Sequence, residues 1–331
     1  MKALLKNREY QLAILILIMI LLIGLIFPDF VSIGNLFSVY NDTSILIILA
    51  LGQMLVIITR SIDLSVAANV ALTGMVVATI NSTYPELPVV LVIFIGAGIG
   101  MLLGMINGLL VWKLKIPSIV VTLGTMSIYR GCVFLLSDGA WINAHQMTEN
   151  FLKIPRTVFL GLPLLGWCSI IVIAVIYYFA RHHTMGRKIY ASGNSPTAAY
   201  YIGIDVGKQQ FISFTISGLL AGIASYLWIS RYAVAYTDIA NGFELQVIAA
   251  CVIGGVSIAG GTGTVLGCVL GALFLGVINN ALPVIGISPF WQMAISGSVI
   301  IIAVVANSRS ERKLGRIILR QAVQDAALKA R

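Results

Sequence analysis

Charge is what this sequence has least of. Only 10% of its 331 residues are Asp, Glu, Lys or Arg, 59% are hydrophobic, and mean hydropathy is +0.99. A soluble domain carries about 25% charged residues, so this chain has too few to cover a water-facing surface. Cysteine and histidine are scarce as well. Cys132, Cys168, Cys251 and Cys268 sit in apolar segments without a C-x-x-C pair, and His145, His182 and His183 fall in polar stretches. That spacing offers no metal cluster, and the cysteines read as small apolar packing residues. The G-x-x-x-x-G-K-[ST] loop that cradles nucleotide phosphates is missing. No Ser/His or His/Glu constellation lies in the apolar runs, so no catalytic residue is expected.

Long apolar runs are plentiful. A membrane-crossing helix needs roughly 20 apolar residues, and lipid leaves backbone N–H and C=O groups no partner outside their own helix. Ten spans are expected: 11–27, 43–60, 62–80, 88–112, 116–137, 164–181, 208–230, 244–258, 263–283 and 288–306. The first is read as an uncleaved span, because Phe27-Pro28 follows it where a signal peptide would have small residues. The expected class is an all-α polytopic membrane protein, with residues 1–331 forming a single transmembrane domain.

Ten spans put both termini on one side. Of the 21 Lys and Arg residues, 17 gather on that side, Lys153, Arg156 and Arg231 lie opposite, and Arg130 falls within a span. The excess marks the cytoplasmic side, so both termini are expected inside. The net charge of +9 then reports orientation and not nucleic-acid binding. The basic tail, 307–331, reads either as a helix along the inner leaflet or as a plain solvated end.

Glycine is abundant and patterned. Gly96, Gly100, Gly104 and Gly108 recur every four residues, and Gly263, Gly267 and Gly271 repeat the spacing, with Gly276 beyond. Small residues at that interval let two helix backbones approach closely, within one chain or between two. Gly104, Ile106, Asn107, Leu110 and Pro117 are echoed 172 residues later by Gly276, Ile278, Asn279, Leu282 and Pro289. The copies would run in opposite directions, as an inverted repeat does.

Polar groups inside the spans are candidates for a translocation path: Arg60, Asp63, Ser65, Asn69, Asn107, Arg130, Asn279 and Gln292. Ionisable residues near hydrocarbon are costly and functional by default. Two readings of Asp63 stand: a functional carboxylate, or a structural cap or ion pair with Arg60, three residues earlier. Arg130 either snorkels to the outer polar layer or lines a watery route. The asparagines, Asn280 included, serve a polyol or join helices. Trp141, Trp228 and Trp291 fit an aromatic belt or a sugar-stacking surface.

One sizeable stretch, 182–207, is polar and basic between apolar neighbours. Ser195-Pro196 is a helix start, Thr197–Ile202 gives a turn or two, and Gly203 ends it. Ala198 and Ala199 leave little bulk on that short helix, so another protein has room to approach.

This loop, 186-GRKIYASGNSPTAAYYIGI-204, resembles the G-R-x-x-Y-A-x-G-x-N-x-x-A-A-x-x-x-G-I pattern of sugar permeases in bacterial ABC importers, the family of the ribose, arabinose, xylose, rhamnose and autoinducer-2 permeases. Its one spacing departure is that Gly193 and Asn194 are adjacent. The segments 60-RSIDLSVA-67, 114-LKIPSIVVTLGTMSIYRG-131 and 242-GFELQVIAACVIGGVSIAGGTGTVLG-267 are similar to that family too. Arg60-Ser61 and Ala67 replace the G-G and final Gly of the usual G-G-I-D-L-S-V-G, which looks like the rhamnose and autoinducer-2 branch. Segments 231–245 and 288–297 look closest to the rhamnose type.

The resemblance implies a vitamin B12 permease-like fold of about ten helices, working as a pair with an identical or related chain in the bacterial inner membrane. A cytoplasmic ATPase would grip 186–204 through Gly186, Arg187, Gly193, Asn194, Ala198, Ala199 and Gly203, and a periplasmic sugar-binding protein would dock opposite. The chain would need no cofactor of its own, ATP being bound by the partner. The implied cargo is a monosaccharide, rhamnose ahead of autoinducer-2 or a pentose. An ion-driven secondary transporter is the competing reading, but Asp63 is almost its only carboxylate in the spans.

Overall fold

The computed structural model describes residues 8–288 and, beyond them, Trp291, Ala294, Gly297, Ser298 and Ile301. Eight of the described helices are long and apolar enough to cross a membrane: α1 (Arg8–Ile26), α2 (Ile33–Ile58), α3 (Val66–Thr83), α4 (Val89–Leu114), α5 (Ser118–Ser137), α7 (Leu164–His182), α10 (Val206–Tyr232) and α12 (Val265–Val284). Leu25 and Leu135 on the outside of α1 and α5 are more than 80% exposed, while Ile47 to Met54 of α2 are fully buried. An apolar outside around a closely packed axis suits lipid and would aggregate in water. The chain is an all-α polytopic membrane protein.

One expected span is corrected. The apolar run 244–258 forms only α11 (Phe243–Ile253), whose 11 residues rise about 16 Å. The run stays apolar, but Gly255 adopts φ +93 and the backbone leaves the helix there. The expected span 288–306 is described only at the residues named above, and Gln292 and the tail 307–331 lie outside the described residues.

The first glycine series packs within the chain. A Cβ on Gly100 would stand 2.5 Å from Gly218 O and Gly222 Cα, and one on Gly104 would stand 2.9 Å from Gly218 Cα. The α4 and α10 backbones therefore touch along an antiparallel seam that admits no side chain. Gly271 meets Ala250 on α11 and Gly267 meets Gly254 just after it in the same way, and Gly276 meets Thr43 on α2.

The bundle has two distinct ends. One carries α6 (Glu149–Arg156) and two short antiparallel pairs, β1 (Ile142–Asn143) with β4 (Val234–Ala235) and β2 (Val158–Phe159) with β3 (Leu162–Pro163). Asn81, near the end of α3, exchanges two 2.9 Å hydrogen bonds with Thr148, which starts α6. Arg231 pairs with Asp42 across the same end. The other end carries α8 (Thr184–Asn194) and α9 (Pro196–Tyr201). Trp112 near the end of α4 donates to Asp205 beside α9, and Tyr190 of α8 donates to Gly263 just before α12. So α4 ends where α12 begins, and the echoed Gly104 and Gly276 motifs ride on helices of opposite direction.

Candidate functional site

Between α2 and α3 the chain breaks into an irregular turn, 59–65, that is buried instead of exposed. Thr59, Ser61, Asp63 and Ser65 are each at most 3% accessible. Irregular backbone at such depth survives only when the protein satisfies it. Here four helices do so. From α2, the Gln53 amide, in the orientation that satisfies it, accepts from Asp63 N and donates to Asp63 O. From α5, Ser118 Oγ accepts from Ile62 N and Thr122 Oγ1 donates to Ile62 O, both at 3.2 Å. From α10, Gln210 Nε2 donates to Ser61 Oγ at 3.1 Å, and from α4, Asn107 Nδ2 donates to Ser65 Oγ at 2.7 Å.

Asp63 closes this turn locally. Its Oδ1 accepts from Ser65 N at 2.9 Å and from Ser65 Oγ at 2.7 Å, just ahead of the first turn of α3. Helix N-termini favour a carboxylate. Asn69, one turn on, donates to Gly100 O and accepts from Thr73 Oγ1, both at 3.1 Å. The structure thus joins Asp63, Ser65 and Asn107 in one buried cluster, with buried Asn69 one turn further along α3.

Arg60 does not join the cluster, so of the two readings of Asp63 the ion pair with Arg60 falls. The backbone of Arg60 is left-handed, at φ +63. Its side chain leaves the turn, donating from Nε to Gly193 O at 2.7 Å and from Nη2 to Asn194 O at 3.0 Å. These are the last carbonyls of α8, where a cation is favoured. Around this contact three chain reversals meet with almost no side-chain bulk. Gly261 N donates to Ile58 O at 2.9 Å. A Cβ on Gly193 would stand 2.7 Å from Gly261 N and 2.9 Å from Ile58 C. Gly260 and Gly261 take φ +85 and +74, a region open to glycine at no cost.

The arm formed by α8 and α9 therefore has an inner and an outer face. Gly186, Gly193 and Ala199 are buried in its seat; Arg187, Asn194, Ala198 and Gly203 are exposed. Gly186 packs against Ala180 of α7. The expected cap holds: Ser195 Oγ accepts from Ala198 N at 3.3 Å, and Gly203 follows α9 at φ +79. The expectation of an arm with little bulk is corrected, because Ala199 turns inward while Tyr200, Tyr201 and Ile202 are each more than 70% exposed. A six-residue helix puts only part of its sequence on either face. Beside α9 lies a cavity of 930 Å³, lined by Arg60, Ser61, Trp112, Lys115, Tyr200 and Gln210 among others.

The remaining candidates lie apart. Arg130 Nη1 donates to the carbonyl of buried Ile239 at 2.6 Å, supporting the non-helical stretch before α11. Asn279 Nδ2 donates to Gln246 Oε1 at 3.3 Å, tying α12 to α11. Sequence reasoning read 186–204 as one short, exposed helix; the structure divides it into α8, whose start His183 Nδ1 caps by accepting from Met185 N, and α9. The same reasoning placed Asp63 at the turn from the second span to the third but missed that this turn is buried; the signal was a run of small polar residues, Thr59, Ser61, Asp63 and Ser65, at the end of an apolar span.

Comparison with known proteins fits this architecture. Residues 35–304 match the family described as branched-chain amino acid transport system / permease component. The ribose import permease of Haemophilus influenzae is 38% identical over 91% of this chain and 93% of its own length. The autoinducer 2 import system permease of Photorhabdus luminescens is 34% identical over 93% and 92% respectively. The ribose import permease of Escherichia coli K12 is 35% identical over 94% and 96%. No solved structure matches the chain. Eight long apolar helices, a polar arm seated on one end and these full-length likenesses place the chain in that family: it is a multi-pass membrane permease component of the ABC-importer type.

Proposed function

We propose that this chain passes a monosaccharide-sized polyol from a periplasmic binding protein into the cytoplasm, driven by a separate ATPase that clasps α8 and α9. The observation that carries the reading is the seating of the arm. Gly193 and Arg60 lock its base to the bundle, while Ala198, Tyr200, Tyr201 and Ile202 project from it. The Lys/Arg excess supports assigning the arm end, and both termini, to the cytoplasm. The relatives are named for ribose and autoinducer 2, which supports a furanose-sized cargo. The rhamnose assignment rests on segments 231–245 and 288–297 alone. A second permease subunit, identical or related, completes the route.

The test is uptake in vesicles with the cognate binding protein and ATPase, comparing ribose, rhamnose and autoinducer 2. Uptake should require ATP and survive an uncoupler; the reverse pattern would replace this reading with an ion-driven transporter. Ala198→Arg, on the exposed face of α9, should abolish uptake while leaving thermal stability within about 0.5 kcal/mol. Normal uptake by that variant would remove α9 from the coupling role.

A further inference from the structure

A second cavity, of 700 Å³, opens on the far side of the arm's base, where α1 and α7 both rest on α12 and leave a groove between them. Its lining includes Glu9 of α1, Tyr177 and Arg181 of α7, Arg187 and Tyr190 of α8, and Leu266 of α12. Of these residues only Arg187 belongs to the arm surface assigned to the ATPase; the rest of the groove has no part in the transport reading.

Its walls divide by chemistry. At the arm end are two guanidinium groups. Arg181 Nη1 donates to Tyr177 Oη at 2.6 Å, and Arg187 Nη1 donates to His182 O at 2.8 Å. Each uses one N–H in this way, and the remaining donors have no partner among the described residues. Burial pushes the Tyr190 phenol up to about 12, so it stays protonated and donates to Gly263 O at 2.9 Å. Glu9, the one carboxylate in the lining, accepts from the Thr264 hydroxyl. Toward the middle of the bundle the walls become apolar. Leu266 is 51% exposed, and Ile170, Ile173 and Ala174 continue down α7 from Tyr177, exposed or half-buried. A charged mouth above an apolar channel, open sideways to lipid, has the polarity of a phospholipid and not of a soluble anion.

We propose that this groove binds the headgroup of an anionic phospholipid, with Arg181 and Arg187 holding its phosphate and the acyl chains lying along α7 and α12. Basic pockets between transmembrane helices on the cytoplasmic side take acidic headgroups in this manner. The inference rests on the sidedness proposed above for its leaflet, but on neither the cargo nor the motor.

The experiment titrates the full-length permease, in neutral detergent, with short-chain phosphatidylglycerol, short-chain phosphatidylcholine and inorganic phosphate, following thermal unfolding. Phosphatidylglycerol should raise Tm saturably, since a ligand of the folded state stabilises it; the other two should not. In the double variant R181Q/R187Q the half-saturating concentration should rise about tenfold or more. An equal shift from phosphatidylcholine, or an unchanged response in the double variant, overturns the proposal. A phosphate shift matching that of phosphatidylglycerol overturns lipid as the source. If the double variant does not fold, R181Q and R187Q are read singly. Native mass spectrometry of the wild type then decides: preferential retention of phosphatidylglycerol supports the site, and indifference between the lipids sinks it. No cargo, ATP or partner enters the assay, so its failure is separable from failure of the transport reading.

Discussion

Two arginines, one at each end of the bundle, do the same local job in different surroundings. At the α6 end, Arg156 donates to Ser230 O and Arg231 O, closing the last turn of α10. At the arm end, Arg60 donates to Gly193 O and Asn194 O, closing the last turn of α8. Around Arg156 further side chains share the load: Tyr226 Oη and Ser230 Oγ both donate to Phe151 O. Around Arg60 the contact is backbone on backbone, through Gly193, Gly260 and Gly261. The difference teaches that one end is held by replaceable hydrogen bonds and the other by shape. Shape tolerates no added volume.

The largest effect should come from filling that shape. In Gly193→Val the new side chain meets backbone at Ile58 and Gly261, which cannot step aside as a flexible side chain would. Overpacking costs about 1–3 kcal/mol, and backbone collisions lie at the top of that range. A clear drop in Tm with loss of uptake is expected. Unchanged Tm would show that α8 is not seated as described.

Next come the paired arginine variants. Arg60→Gln and Arg156→Gln should each cost about 1.5–3 kcal/mol, as lost hydrogen bonds to a charged group do. Their functional readouts should part. Arg60→Gln should lower the ratio of uptake to ATP hydrolysis and speed amide exchange in α8. Arg156→Gln should leave that ratio intact at temperatures where the protein stays folded. Equal coupling defects in both would erase the distinction between the ends.

The smallest effect is expected inside the 59–65 turn. An amide oxygen at position 63 can still accept from Ser65 N and Ser65 Oγ, so Asp63→Asn should cost under about 1 kcal/mol. Asp63→Ala removes the acceptor, leaving Ser65 donors buried and unpaired, and should cost about 1–3 kcal/mol. If Asn impairs uptake while stability holds, the charge of Asp63 itself serves the route.

What was legible in the sequence was whatever local chemistry decides. Apolar runs gave the long helices, and Ser195-Pro196 with Gly203 gave the limits of α9. The glycine interval on α4 announced a close-packed face, but its partner glycines on α10 lie more than a hundred residues away and no local signal names them. The same reason hid the partners of Arg60. Its nearest acid is Asp63, yet its partner carbonyls are 133 and 134 residues distant and belong to backbone, which sequence does not distinguish. α11 fell short of its expected length because hydropathy registers side chains, and the turn at Gly255 is a matter of backbone angle. The polar cluster of Asp63, Ser65 and Asn107 was visible as separate residues; that one turn gathers them required the fold.

The glycine socket under α8 has a practical corollary for anyone exchanging parts between transporters. A graft of residues 184–204 alone would arrive without the complementary surface at 58–60 and 260–261 on which it rocks or rests. A chimera designed to accept a foreign motor must import all three strips together, or it will present the right handle on the wrong mount.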